Sequence, residues 1–154
     1  MQAASSTIHA SAALVGARAV LVRGPSGSGK SSLILAVLRT VPSIFPFARL
    51  VADDRAALAV TGGRLVVRPA PALEGLLEAR GLGILRLPYE RAAIVGCVVD
   101  LGVAEAERLP RQNERETVIS GVPIARLAVA PGADPLPLLR NFLDPAVFDA
   151  PKSP

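Results

Sequence analysis

The segment Gly24-Pro25-Ser26-Gly27-Ser28-Gly29-Lys30-Ser31 fits the pattern G-x-x-x-x-G-K-[ST] and stands between strand-like and helix-like sequence. Ala19-Val20-Leu21-Val22 before it is a short apolar run suited to a buried strand. Ser32 to Arg39 after it has the length and composition of a helix. Strand, glycine-rich loop and helix in that order form a cradle for phosphate. Glycine admits backbone conformations closed to other residues, so successive N–H groups can turn onto an anion at the positive end of the helix. In such a loop Lys30 reaches the outer phosphates, Ser31 faces Mg²⁺, and Ser32 opens the helix beside the nucleotide. The chain has 17 basic residues, and only Lys30 and Lys152 are lysine. A lysine at this position is therefore unlike the arginine bias of the rest.

The 154 residues suffice for one well-buried core, and a single domain over 1–154 is expected. The composition is 51% hydrophobic and 3% aromatic, so that core must consist of Ala, Val, Leu and Ile. The net charge is +4, but the arginines are scattered and lack aromatic company, a poor footprint for nucleic acid. Residues 1–17 have neither a basic leader nor a membrane-length apolar span, which points to a cytoplasmic protein with no membrane contact. Cys97 lies within the apolar run Ala92 to Val99, where a buried, inert thiol is expected.

Ile8 to Val15 and Ala19 to Val22 read as a hairpin turning at Gly16-Ala17-Arg18, which brings His9 near the phosphate loop. The proline-broken connector Val41 to Phe47 holds two of the five aromatic residues, Phe45 and Phe47, and is expected to pack. Arg49 to Ala52 forms a short strand ending in Asp53-Asp54. Ala57 to Val60 and Leu65 to Val67 make a hairpin around Thr61-Gly62-Gly63-Arg64. The glycine-rich stretch between Leu73 and Leu87 suits a loop or strand edge. Ala92 to Val99 is a further buried strand, Glu105 to Glu116 a charged surface segment, and Thr117 to Ile119 with Ile124 to Val129 the last strands. Pro135 to Phe148 is a terminal helix split by Pro145. The expected class is α/β with a mixed sheet.

Phosphoryl transfer also requires a carboxylate near the metal and a group for the nucleophile's proton. Asp53-Asp54 and Asp100 both end apolar runs. The pair is favoured, because adjacent acids at a strand end can divide the work, one facing the metal and the other a substrate hydroxyl. Asp100 reads as a turn acid before Gly102, and on spacing alone His9 fits a packed or surface residue as well as a catalyst. Glu78 and Arg80, if extended, share a face and form a surface ion pair.

Taken in order, His9, Gly24 to Ser31, Leu50-Val51-Ala52-Asp53-Asp54-Arg55 and Glu78-Ala79-Arg80-Gly81-Leu82-Gly83-Ile84 resemble the HPr kinase/phosphorylase family. The last string differs from the family's E-I-R-G-L-G-I only at Ala79. The resemblance spans about residues 5–130, followed by a helical segment at about 135–150, and corresponds to the family's C-terminal catalytic domain in a short bacterial form. It implies a P-loop kinase core of the HPr kinase and phosphoenolpyruvate carboxykinase type, with ATP and Mg²⁺. It also implies transfer of the γ-phosphoryl group to a serine of an HPr-like phosphocarrier protein of the phosphotransferase system, and a homo-oligomer, hexameric in the family.

Residue by residue, it implies that Asp53 accepts the seryl proton with His9 beside it, and that Ser31, Glu78 and Asp54 lie at the metal. Arg80 supports substrate or phosphate charge. The chain departs from the family at its basic loop P-V-x-P-G-R-N, replaced here by Ala128-Val129-Ala130-Pro131-Gly132-Ala133-Asp134, which weakens the implication of phosphorolysis. Arg115 and Arg126 are the candidates to compensate. Two other readings of the same motifs are an ATP-sensing module without turnover, and a kinase of another serine or of a small molecule.

Overall fold

The computed structural model describes residues 6–40, 47–107 and 111–144. Eleven strands and two α-helices run in the order β1 (Ser6–Ile8), β2 (Ala10–Val15), β3 (Arg18–Arg23), α1 (Lys30–Arg39), β4 (Ala48–Ala52), β5 (Ala56–Thr61), β6 (Arg64–Pro69), β7 (Leu76–Ala79), β8 (Gly83–Arg86), β9 (Ala93–Leu101), β10 (Glu116–Ile119), β11 (Val122–Val129) and α2 (Pro135–Leu143). The fold is mixed α/β, as the sequence predicts, and among the described residues no helix is long and apolar enough to cross a membrane.

The nine-stranded sheet curls around β9. Its path is β1-β5-β6-β9-β3-β2-β4, and β11, with β10 outside it, adds to the other edge of β9. The first residues of β9 pair antiparallel with β6 at Ala93 and Ile94, and the later ones lie parallel between β3 and β11. The register with β3 slips at Gly96, between the pairs Ala19–Val95 and Val20–Cys97. A Cβ at Gly96 would stand 2.6 Å from Arg18 Cβ, so the bulge lets Arg18 cross the strand closely.

Both faces of β3 and β9 are buried, which explains their unbroken apolar runs. Val20, Val22, Cys97 and Val99 face the helices, against Ile34 and Val37 of α1 and Leu139 of α2. Leu21 and Val98 face the curled half of the sheet, against Leu58, Leu65 and Val67. Burial pushes the Cys97 thiol up to about 12, leaving it the inert group expected.

The hairpins fall where turn residues predict them, including β2–β3 at Gly16-Ala17 and β5–β6 at Gly62-Gly63, both glycines there having positive φ. The stretch after Leu73 forms a hairpin of its own, β7–β8, separate from the main sheet. Pro123 is tolerated within β11 because pairing with β9 begins only at Ala125. The strand expected from Ile8 breaks at His9, which separates β1 from β2. Helix α1 begins at Lys30, two residues earlier than composition suggests. Of the proline-broken connector only Phe47 is described, 5.3 Å from the Arg49 guanidinium, and Pro145 lies outside the described residues.

Candidate active site

The phosphate loop leaves the end of β3 and enters α1 through Gly29, whose φ is 99°. No acidic residue occupies the first turn of α1, so its positive end is open to an anion. The Lys30 ammonium is folded into the loop and donates to the carbonyl oxygens of Gly24 at 2.9 Å and Pro25 at 3.2 Å. An ammonium has three protons, so one remains for a phosphate oxygen. Ser28 Oγ is buried with no partner among the described residues, a second donor held inside the loop. These are the marks of a phosphate cradle.

Across from the loop, the end of β4 presents Asp53, which is 4% exposed and accepts three hydrogen bonds. Its Oδ1 takes the hydroxyls of Ser31 at 2.5 Å and Ser11 at 2.7 Å, and its Oδ2 takes the Glu78 amide at 3.0 Å. One carboxylate thus joins β2, β4, β7 and the first turn of α1. Of the acidic pair, Asp53 is brought to the loop through Ser31.

Asp54 turns the other way. Its φ is 66°, and the Arg55 amide donates back to the Asp53 carbonyl at 2.7 Å, closing a γ-turn around Asp54. Ser11 Oγ also accepts from the Asp54 amide at 3.2 Å and so fixes this conformation. The Asp54 carboxylate is 69% exposed, with His9 Nδ1 3.9 Å away. The two acids therefore occupy distinct environments: Asp53 is sequestered at Ser31, and Asp54 opens to solvent beside His9.

Glu78 and Arg80 are exposed near the loop without pairing to each other. The expected ion pair fails because β7 ends at Ala79. Arg80 enters the turn closed by the Leu82 amide on the Ala79 carbonyl at 3.0 Å, so the two side chains leave alternation. Among the described residues no three His, Cys, Asp or Glu side chains gather into a metal cage. Magnesium is bound by one or two carboxylates together with substrate phosphates and water; the Ser31 hydroxyl and the exposed Glu78 carboxylate are oxygens of that kind, whereas Asp54 faces away from Ser31 toward His9.

Asp100 is not a turn acid. It lies in β9, where Arg23 grips it through Nε at 2.8 Å and through its terminal nitrogen at 2.9 Å, and Arg126 Nε adds a contact at 2.6 Å. Burial pushes its carboxyl up, but hydrogen bonds and charge from Arg23 and Arg126 outweigh that and hold it below the usual carboxylate range. The triad ties the ends of β3 and β9 to the middle of β11 immediately before Gly24. It also commits Arg126, which donates to the Glu114 carbonyl at 3.1 Å as well. Sequence reasoning passed over Ser11 and this triad. A lone serine in the apolar run of β2 was the available signal for Ser11, since a buried hydroxyl needs a partner.

With this geometry in place, the comparisons decide the lineage. An HPr kinase/phosphorylase from Exiguobacterium sp. is 32% identical over 126 residues, covering 73% of this chain and 39% of that protein. The chain belongs to the HPr kinase/phosphorylase family. It spans about two fifths of the length of that curated relative. The HPr(Ser) kinase/phosphatase from Coxiella burnetii has the same fold, with a TM-score of 0.70 and 22% identity over 90% of this chain and 88% of that one. The P-loop kinase type expected from the sequence is therefore the fold observed. No protein-family model matches the chain.

Proposed function

We propose that this chain is a cytoplasmic, ATP-dependent serine kinase, a single catalytic domain that phosphorylates a seryl hydroxyl of an HPr-like phosphocarrier protein. The observation that carries the reading is the hydrogen bond from Ser31 to Asp53, which couples the phosphate loop to a buried acid. The exposed Ile84 and Val118 side chains supply apolar surface for assembly into a homo-oligomer.

The loop N–H groups from Ser26 to Ser32 and the Lys30 ammonium hold the phosphates and offset charge on the transferring group. Among the described residues the Asp53 Oδ2 atom accepts only the Glu78 amide, so it retains acceptor capacity for the proton of an incoming hydroxyl. As that proton passes to Asp53, the seryl oxygen bonds to the γ-phosphorus, the bond to the β-phosphate oxygen breaks, and ADP leaves. His9 and Asp54 stand at the solvent side of this acid, where a protein substrate would approach. Magnesium held by Ser31 and Glu78 would supply Lewis-acid stabilisation of the phosphates. Arg80 supports the phosphate charge from the turn after β7.

Mass spectrometry of a carrier protein incubated with this chain, Mg²⁺ and ATP tests the reading. One phosphoryl group on a serine is expected with the natural chain. Asp53→Asn should yield none while calorimetric ATP affinity changes by less than about threefold. An unlabelled carrier, or equal labelling by the variant, would sink the proposal; ATP binding without transfer would leave a nucleotide sensor.

A further inference from the structure

The two residues that open the phosphate loop are seated on the end of β9. Arg23 and Asp100 are partners in the parallel ladder of β3 and β9, and the next residues along meet directly. A Cβ at Gly24 would stand 3.1 Å from Leu101 Cβ. One step further, a Cβ at Gly102 would touch the Pro25 ring at 3.5 Å. The Val103 amide donates to the Val129 carbonyl at 2.9 Å, which holds this end of β9 against β11.

That seat decides where Lys30 stands. Its buried ammonium donates to the carbonyl oxygens of Gly24 and Pro25, so a shift of those two residues carries the charge with it. From the strand side they are fixed by Asp100. Its Oδ1 takes Arg23 Nε, and its Oδ2 takes both the terminal nitrogen of Arg23 and Arg126 Nε. A bidentate guanidinium grip constrains direction as well as distance. Val22, Val99 and Leu101 pack toward α1, so by strand alternation Arg23 and Asp100 project from the opposite face of the sheet. The clamp therefore acts on the loop through the backbone, from the side away from the phosphates.

We infer that Asp100 is a positioning residue for phosphoryl transfer: by gripping Arg23 and Arg126 it fixes Gly24 and Pro25 on the end of β9, and through their carbonyls the Lys30 ammonium against the transferring group. The inference rests on the phosphate-binding reading and adds what holds its lysine in place. The N–H groups at the end of the loop are anchored in α1 instead, where the Leu33 amide donates to the Gly29 carbonyl at 3.0 Å. Loss of the clamp should thus leave ATP bound and misplace the lysine where charge develops.

Lys30 and Lys152 are the only lysines, so NMR of the free protein with ¹³Cε-labelled lysine gives two side-chain signals, assigned by Lys30→Arg. Asp100→Asn should move the Lys30 signal and leave that of Lys152. In carrier phosphorylation with Mg²⁺ and ATP it should lower kcat about ten- to a hundredfold, with the KM for ATP within about threefold. Arg23→Lys retains the charge and loses the fork; it should move the same signal and lower kcat about threefold, and it serves if Asp100→Asn does not fold. Val67 pairs with Ala93 at the other end of β9, so Val67→Ala should cost stability while both signals and kcat stay natural. An unmoved Lys30 signal with natural kcat in the two clamp variants, or an equal loss of kcat in Val67→Ala, would overturn the inference. A natural chain that labels no carrier would overturn the kinase reading, and this inference with it.

Discussion

Ser31 donates its hydroxyl to Asp53 Oδ1 at 2.5 Å, so the first turn of α1 and the end of β4 are locked before any ligand arrives. Donors aimed in advance need no reorganisation when charge develops, and that is where electrostatic catalysis draws its strength. The lock is completed from β2, where Ser11 both donates to Asp53 and accepts from the Asp54 amide.

Removing that clamp has a defined consequence. Ser11→Ala deletes a buried hydrogen bond to a carboxylate and frees the strained γ-turn at Asp54. Urea unfolding should show a loss of about 1.5–3 kcal/mol, the range for hydrogen bonds to charged groups. Carrier phosphorylation should fall more than ATP affinity does, because Lys30 and the loop amides are untouched. An Ser11→Ala chain with unchanged stability and turnover would show that Ser31 and the Glu78 amide alone fix Asp53.

Most local patterns are legible in the sequence, whereas contacts between distant partners are not. The phosphate loop, the hairpins at Gly16 and Gly62-Gly63, and the acids ending β4 are short-range patterns of turn residue and apolar run. Ser11 meets Asp53 across 42 positions and Arg23 meets Asp100 across 77, separations that no periodicity encodes. The curl of the sheet around Gly96 depends on strand pairing between remote segments and was equally invisible. The Glu78–Arg80 pairing failed for a local reason: alternation holds only inside a strand, and β7 stops at Ala79.

Asp100 should govern part of the acid stability. Its carboxyl is held below the usual range in the fold by Arg23 and Arg126, so the unfolded chain binds its proton more readily. The stabilisation is complete above the unfolded value of about 3.9 and is lost as pH falls through the lower folded value. Urea midpoints of the natural chain should therefore drop as pH falls below about 4. Asp100→Asn should be less stable by about 1–3 kcal/mol at pH 7, since two partly buried guanidiniums lose their acid. Its deficit should shrink in acid. A deficit that stays constant down to pH 2 would remove Asp100 from the acid transition.

Gly24 marks the tightest approach in the loop. A Cβ there would lie 2.6 Å from Ser28 Oγ and 3.2 Å from the Leu101 carbonyl oxygen, and the latter is backbone that cannot rotate away. Gly24→Ala should push the loop off the end of β9 and turn the Gly24 carbonyl from Lys30. ATP affinity measured by calorimetry should fall at least about tenfold, the equivalent of 1.4 kcal/mol, with the melting temperature shifted by only a few degrees. Near-natural affinity in this variant would mean that Leu101 and Ser28 yield more readily than their packing indicates.

The loop before α2 bears on the reverse reaction. Where the family has arginine and asparagine, this chain has Ala133 and Asp134, and Asp134 caps α2 by accepting the Leu136 amide at 3.1 Å. Arg126 cannot substitute, because Asp100 and the Glu114 carbonyl hold it. Phosphorolysis of a phosphoseryl carrier by inorganic phosphate should therefore be slower than the forward transfer by about ten- to a hundredfold, the weight of one charge-assisted hydrogen bond to phosphate. The double substitution Ala133→Arg with Asp134→Asn restores the basic pattern without losing the cap, since asparagine caps as well as aspartate. It should raise phosphate-dependent release from the carrier about tenfold and leave the thermal unfolding midpoint in place. If the natural chain already runs both directions at equal rates, or if the double variant changes neither, the loop does not set the balance between them.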